Sequence, residues 1–271
     1  GKQFDEETGL YYYGARYMNP MASIWYGVDP LAEKYNDICS YAYCHCQPVN
    51  RIDPSGKDDI FDSRGYLYST DTGNNVMLQD NGTLINIAEY RFTNGKEFIL
   101  SNIASHYLAE VGETSPIVNI INRQEYNSNH DNKHQIPLAA SMANDTGTNR
   151  YDVYVDNNGL VNKTLGNMYN FMSTARHEVS HHYDSSTHGG FIGEVNAIIY
   201  QAKYPEWGKA SDDFISSMAG YATNRLIESV KRQETPFLKI DTYIDSLNQA
   251  FKGKWEFMQI DGNIYNMPIS E

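Results

Sequence analysis

Long apolar runs are missing from this chain: nowhere do about 18 apolar residues follow one another, so no membrane-spanning helix is expected. Basic clusters are missing too. Lysine and arginine number 21 against 34 acidic residues, for a net charge of −13, and the densest basic spot is only Val230 to Gln233. A protein that grips nucleic acid through its phosphates usually shows a basic face, so nucleic acid is not an expected partner. Cysteine is scarce: Cys39, Cys44 and Cys46 share one short stretch with His45. Zinc-ribbon spacing needs two separated pairs, and an odd count leaves no complete disulfide framework, so these read as free structural thiols. There is no Gly-x-Ser-x-Gly elbow and no glycine loop of the kind that cradles phosphate. The opening residues, GKQFDEETG, lack an apolar signal region, and a start on Gly rather than Met reads as a fragment of a longer chain.

What the chain has in excess is tyrosine, 22 copies against 10 Phe and 3 Trp. Tyrosine suits sheets with a wet face, because the ring packs while the hydroxyl stays hydrated. The first fifth of the sequence uses it that way. GLYYYGARYMNP alternates aromatic with small or polar residues and ends on a turn signal, and GVDPLAEKY and RIDPSGKDD each carry Asp-Pro. Short strands and turns are expected there, too few to own a good core.

Three motifs in this order, DEETGLYYYGARYMNP, VDPLAEKY and YAYCHCQPVNRIDPSG, resemble the RHS repeat-associated core, over Gly1 to Gly56. Two departures stand out: CHCQP replaces the family's Asn-Asn-Pro type of turn, and ASIWYGVDP replaces its usual lead-in. The resemblance implies a β-rich segment that closes an upstream RHS repeat cage. It also implies a variable C-terminal effector after it, secreted or delivered from a producing bacterial cell, with an immunity protein as a partner. Some such proteins cut themselves behind the second Asp-Pro-x-Gly motif; the matching aspartates are Asp29 and Asp53, but Lys57 stands where a leucine often follows. Plain turn aspartates are the simpler reading. The expected division is residues 1–56 as the RHS-core segment and 57–271 as the effector domain.

In that second part, YLYST, NVMLQ, TLINIA and KEFILSN are short apolar or alternating runs separated by DTGNN, DNG and TNG. They predict an antiparallel meander. Residues 102 to 113 return to helical spacing, and RYDVYVDNNGLVNK predicts a hairpin about Asn158-Gly159. Helices follow over about 166–184, 191–203, 210–232 and 236–252 by the 3.6-residue period. Strands first and helices later is the α+β arrangement.

The chemistry is concentrated in TARHEVSHHYD. Met168, Phe171, Met172, Ala175 and Val179, with His182 or Tyr183, form an apolar stripe, while His177 and His181 stack one turn apart on another face. Zinc takes nitrogen ligands at about 2 Å in a tetrahedron, and two histidines one turn apart supply two corners rigidly. Glu178 is poorly aimed to ligate but well placed to take a proton from a water beside the metal. From this composition, chance produces roughly 0.013 His-Glu-x-x-His matches, so a wet helix face with accidental histidines is the weaker explanation.

The region resembles the gluzincin type of zinc peptidase, and so a zincin-like fold. That resemblance implies a third ligand, a Glu on the next helix, which falls on Glu194 in GFIGEVNAIIYQ. Gly189-Gly190 permits the reversal between the helices. It further implies Zn2+ as cofactor, a protein or peptide substrate, and a sheet edge lining the cleft, for which Tyr151–Val155 is the candidate. His188 and Asp184 compete for the third position; His182 reads as structural, and His130 with His134 lies in a polar stretch without a glutamate or stripe. The leading expectation is a zinc metallopeptidase effector. The alternatives are a binding or scaffold domain with a structural or degenerate zinc site, and an RHS toxin that is not a peptidase.

Overall fold

Asn167 begins the helix that organises the molecule. Its side chain accepts hydrogen bonds from the backbone N–H groups of Tyr169 and Asn170, satisfying two donors that a helix start leaves open. In the computed structural model, which describes residues 3–12, 17–22, 24–27, 59–69, 74–129, 142–144, 149–234 and 239–269, this is helix α3.

Residues 3–27 contribute a four-stranded antiparallel meander, β1 (Gln3–Asp5), β2 (Leu10–Tyr12), β3 (Tyr17–Asn19) and β4 (Ile24–Trp25). Cross-strand aromatic pairs join it, Phe4 with Tyr11 at 4.8 Å and Tyr12 with Tyr17 at 4.9 Å between ring centres. This is the use of tyrosine expected for half-wet strands. The 56/57 boundary, the cysteines, Asp29, Asp53, His130 and His134 lie outside the described residues.

A second small sheet follows: β5 (Asp59–Phe61), β6 (Leu67–Ser69), β7 (Val76–Asp80) and β8 (Thr83–Asn86), ordered β6-β5-β7-β8. β5 stands between β6 and β7 and its pair with β7 is parallel, so of the expected meander only the β7–β8 hairpin forms. KEFILSN, expected as a fourth strand, is instead the first half of helix α1 (Glu97–Glu110). Its run of apolar residues is too short to reveal a period by itself, and Ile99, Leu100, Ile103, Ala104, Tyr107 and Leu108 extend it into a buried helical face.

A third sheet holds β9 (Ile117–Asn122), β10 (Met142–Asn144) and β11 (Arg150–Val155), with α2 (Arg123–Asn129) following β9. Its order is β10-β11-β9, antiparallel then parallel. Tyr151–Val155 is therefore central, which corrects the edge assignment. Tyr151, Val153 and Val155 face the core, while Tyr154 on the other side is covered by Tyr126 of α2. Alternation reports which side chains face the core, not whether a strand has a neighbour on each side, so it does not tell a central strand from an edge one. The return arm of the expected hairpin shrinks to a single bridge, Val155 to Val161.

The remaining elements are α3 (Met168–Tyr183), α4 (Gly190–Gln201), α5 (Pro205–Lys209), α6 (Asp212–Lys231), α7 (Ile240–Ala250) and a hairpin of β12 (Trp255–Ile260) with β13 (Asn263–Pro268). The described chain is thus α+β.

Two apolar cores result. One joins the second and third sheets to α1 and to the α3 stripe of Met168, Phe171, Ala175 and Val179. The other joins α4, α6, α7 and the last hairpin through Val195, Ile198, Phe214, Leu226 and Phe257. The stripe ends at Val179, since Tyr183 is exposed. Helix α3 lies at the seam, and its second face meets α4.

Polar side chains fasten that seam. Buried Asn170 donates to the Thr164 carbonyl and to Ser211 Oγ at 2.9 Å each, and accepts from the Ser211 backbone N–H at 2.9 Å. Arg176 donates to Glu206 Oε1 at 2.9 Å and to the Val111 carbonyl at 2.7 Å, with its guanidinium 3.9 Å from the centre of the Tyr204 ring. Asn170→Ala takes the hydrogen-bond partner from the Ser211 backbone N–H and one of two hydrogen bonds each from the Thr164 carbonyl and the Ser211 hydroxyl, and urea unfolding should show a loss of about 1–3 kcal/mol. A change under about 0.5 kcal/mol would mean that the seam is held elsewhere.

Candidate metal centre

One turn of helix separates His177 from His181, and their rings meet edge-on with centres 5.1 Å apart. Both are buried although they stand off the apolar stripe, because α4 covers that face. Gly189 and Gly190 make the approach possible. Both take positive φ, +67° and +69°, where a side chain would be strained. The reversal lays α4 alongside α3 and brings Glu194 to the histidines.

Glu194 Oε2 lies 3.1 Å from His177 Nε2, and its Oε1 lies 3.6 Å from His181 Nε2. One donor atom from each residue falls within 4.8 Å of the other two. Tetrahedral zinc with bonds of about 2.0–2.1 Å spaces its ligand atoms by roughly 3.3 Å, so the observed spacings fit such an ion. Two imidazoles and a carboxylate are also a donor set that leaves a fourth corner for water or substrate.

The groups behind the donors fix their direction. His181 Nδ1 lies 2.7 Å from the Thr187 carbonyl oxygen, which can only accept, so Nδ1 carries the proton and Nε2 offers its lone pair to the centre. Thr187 is held in turn: its hydroxyl lies 2.8 Å from the Ser180 carbonyl and 2.7 Å from that of Asp184. Tyr221 of α6 donates to Glu194 Oε2 at 2.9 Å. Burial, followed by the Glu194 charge, raises the Tyr221 pKa and keeps the hydroxyl a donor.

Electrostatics separate the two glutamates. Burial works to raise the Glu194 pKa, but the His177 hydrogen bond and charge, His181 and Tyr221 outweigh it and bring it to about 2. Glu178 moves the other way: burial first, then the charges of Glu194 and Asp152, raise it well above the usual carboxylate range. Burial and the neighbouring His177 lower that of His181, favouring the neutral, ligating form. Two carboxylates whose proton affinities are driven apart suit different roles, one an anionic ligand and the other a group that takes and returns a proton.

The other sequence candidates lie outside the cluster. Asp184 caps the short turn Ser185–Thr187, His188 closes that turn and is exposed, and the His182 ring packs against Tyr183 at 4.4 Å. Tyr221 and Thr187 complete the site without standing in any of the sequence motifs. Thr187 acts through its backbone, which carries no sequence signal. Tyr221 does carry one, since it continues the buried α6 stripe of Phe214, Met218 and Ala222, where a hydroxyl needs a partner.

Gly193 gives a sharp test of the histidine support. A Cβ there would stand 2.6 Å from the Thr187 carbonyl oxygen. Gly193→Ala must push that carbonyl aside and loosen His181, so metal affinity measured by competition with a chromophoric chelator should fall about 10–100-fold. Unchanged affinity would show that the Thr187 carbonyl does not orient the ligand.

Comparison with known proteins gives partial matches along the chain. It is 42% identical over 59 residues to the tRNA nuclease WapA of Bacillus subtilis (strain 168), which is 21% of this chain and 2% of that protein. It is 44% identical over 57 residues to Salivary gland surface protein 1 of Aedes aegypti, again 21% of this chain and 2% of that one. The chain thus spans about 2% of the length of these relatives. No solved structure matches it. A family model described as metallopeptidase toxin 2 matches residues 62–254, well over half of the sequence and the whole of the His177–Glu194 region. The chain belongs to the metallopeptidase toxin 2 family.

Proposed function

We propose that this protein is a zinc-dependent peptidase, the effector part of a toxin, with a zincin-like arrangement of α3 and α4. His177, His181 and Glu194 hold the ion. The observation that carries the reading is the convergence of three donor atoms within 4.8 Å, from one helix turn and the next helix, beside a fully buried glutamate. A zinc ion at that place supplies Lewis-acid chemistry, polarising a carbonyl and lowering the pKa of a water to about 7.

The chain's own residues do the rest. Glu178 takes the proton of the attacking water and gives it to the leaving amine; a proton affinity raised by burial suits it to both transfers. Thr187 holds the tautomer and aim of His181, and Tyr221 fixes the Glu194 carboxylate. The substrate is a peptide bond in a protein or peptide. With β11 central, the strand that receives an extended substrate is β10, the edge of its sheet next to α3.

Residues 1–56 are read as an RHS core that closes an upstream repeat cage, and the effector as delivered from a producing cell, with an immunity protein as partner. The three RHS-like motifs in their order support this. Two of the WapA relatives are named as nucleases for particular tRNAs. For this chain the absence of a basic run and the charge of −13 favour the peptidase reading over a nuclease. Mapping of new protein termini in a denatured proteome, with the zinc-loaded chain and its Glu178→Gln variant side by side, tests the proposal; termini produced equally by both, or by neither, would refute it.

A further inference from the structure

Glu194 is the most open of the three donors, with a side chain 30% exposed against 4% for His177 and 11% for His181. Solvent and substrate therefore reach the centre on the Glu194 side. What stands there is unusual in so acidic a chain. Arg225, one turn along α6 from Tyr221, places its guanidinium 4.6 Å from the centre of the Tyr221 ring, the ring whose hydroxyl holds Glu194. The same guanidinium lies 5.3 Å from the Phe191 ring, and Arg232 lies 5.0 Å from that ring. Phe191 is one turn before Glu194 on α4, so both arginines gather round a ring whose helix neighbour is a ligand of the centre.

Neither arginine has a carboxylate within ion-pair distance among the described residues; the Arg225 side chain hydrogen-bonds the Tyr221 hydroxyl, but its Nε is buried with no hydrogen-bond partner. The two nearby acids are occupied. Glu234 accepts from the Phe191 backbone N–H at 2.7 Å, and Glu228 pairs with Lys231 at 2.8 Å, although it also feels the charge of both arginines. A buried guanidinium N–H without an acceptor is costly, and a carboxylate is its best acceptor. The Tyr221 and Phe191 rings beside the Arg225 guanidinium leave Nε, and the N–H groups that Tyr221 does not take, for that partner.

The geometry points to Arg225 and Arg232 as a carboxylate-binding subsite beside the metal centre, so that the substrate is a peptide with an acidic group close to the scissile bond. This rests on the peptidase reading above. The carboxylate has two possible sources, an Asp or Glu side chain within a longer peptide or the free C-terminus of a short one.

The test is binding to the full zinc-loaded chain carrying Glu178→Gln, measured by calorimetry, so that it does not depend on turnover. The probes are acetylated, amidated octapeptide mixtures with one Glu or Asp scanned through each position, the same mixtures with Gln or Asn, and octapeptides with a free C-terminus but no acid. At least one acidic position, or the free C-terminus, should bind about tenfold or more tightly than its neutral counterpart. That preference should weaken with added salt and fall to within about threefold in Arg225→Gln and in Arg232→Gln, with part of it restored in Arg225→Lys. If Arg225→Gln melts early through loss of its ring contacts, the more exposed Arg232→Gln decides. A side-chain preference identifies an internal acid and a terminal one identifies the C-terminus; either supports the subsite. Equal binding of acid and neutral probes, or a preference that survives both substitutions, overturns it. Cleavage by the unsubstituted chain is scored separately: acid-selective binding without any cleavage would count against the peptidase and not against the subsite.

Discussion

The Glu178→Gln protein should fold as the parent does, bind its metal as tightly, and lose about 10²–10⁴-fold in peptide hydrolysis. Each part has a separate cause. Glu178 is 4% exposed, and burial with the Glu194 and Asp152 charges favours its neutral form, which a glutamine amide matches in shape. An amide cannot take on the charge that burial and Glu194 oppose at this position, so thermal stability should hold or rise. The three donor atoms do not include it, so the metal should stay. What the amide cannot do is accept a proton. Hydrolysis within a few-fold of the parent would remove Glu178 from the chemistry; lost metal would make it a structural support instead.

Metal removal has the second large effect, and its form separates a catalytic ion from one that builds the fold. The two apolar cores close without the site: one is filled from the sheets, α1 and the α3 stripe, the other from α4, α6, α7 and the last hairpin. In the metal-free chain Glu194 still has His177, His181 and Tyr221 as partners. A chelator should therefore stop hydrolysis and leave the far-ultraviolet circular dichroism intact. It should also lower Tm, since an ion present at a thousand times its Kd stabilises by about 4 kcal/mol, roughly 8–15 °C for a domain of this size. Collapse of the dichroism on chelation would make the ion structural, as in small zinc modules. An unchanged Tm would mean that no ion is bound by the native state.

The parts of this site written in side chains on one helix were legible. The i, i+4 spacing of His177 and His181 and the apolar stripe of Phe171, Ala175 and Val179 are local geometry, set by 3.6 residues per turn. Gly189-Gly190 marked the reversal that brings Glu194 in, because positive φ at both positions is what glycine supplies. Contacts made between distant elements were not legible. Nothing local says that Tyr221, some 27 residues beyond Glu194, would hold that carboxylate, or that the Thr187 backbone would hold His181.

The sheets show the same division. Turn signals such as Asn81-Gly82 placed the β7–β8 hairpin. The parallel β5–β7 and β9–β11 pairs depend on long crossings that leave no local mark. KEFILSN shows how a short apolar run misleads, since strand and buried helix look alike over seven residues. The last hairpin carries a local mark of the same kind: Asp261-Gly262, with φ of 50° and 79°, is the dipeptide that a tight primed turn favours.

The account stands on His177, His181 and Glu194 sharing one ion, and X-ray absorption at the zinc edge of the loaded chain reads that directly. It should give four light-atom ligands at about 2.0–2.1 Å with the outer-shell scattering of two imidazoles, falling to one imidazole or to free zinc when His181 is replaced by alanine. A spectrum with sulfur ligands, or with no imidazole scattering, would contradict it.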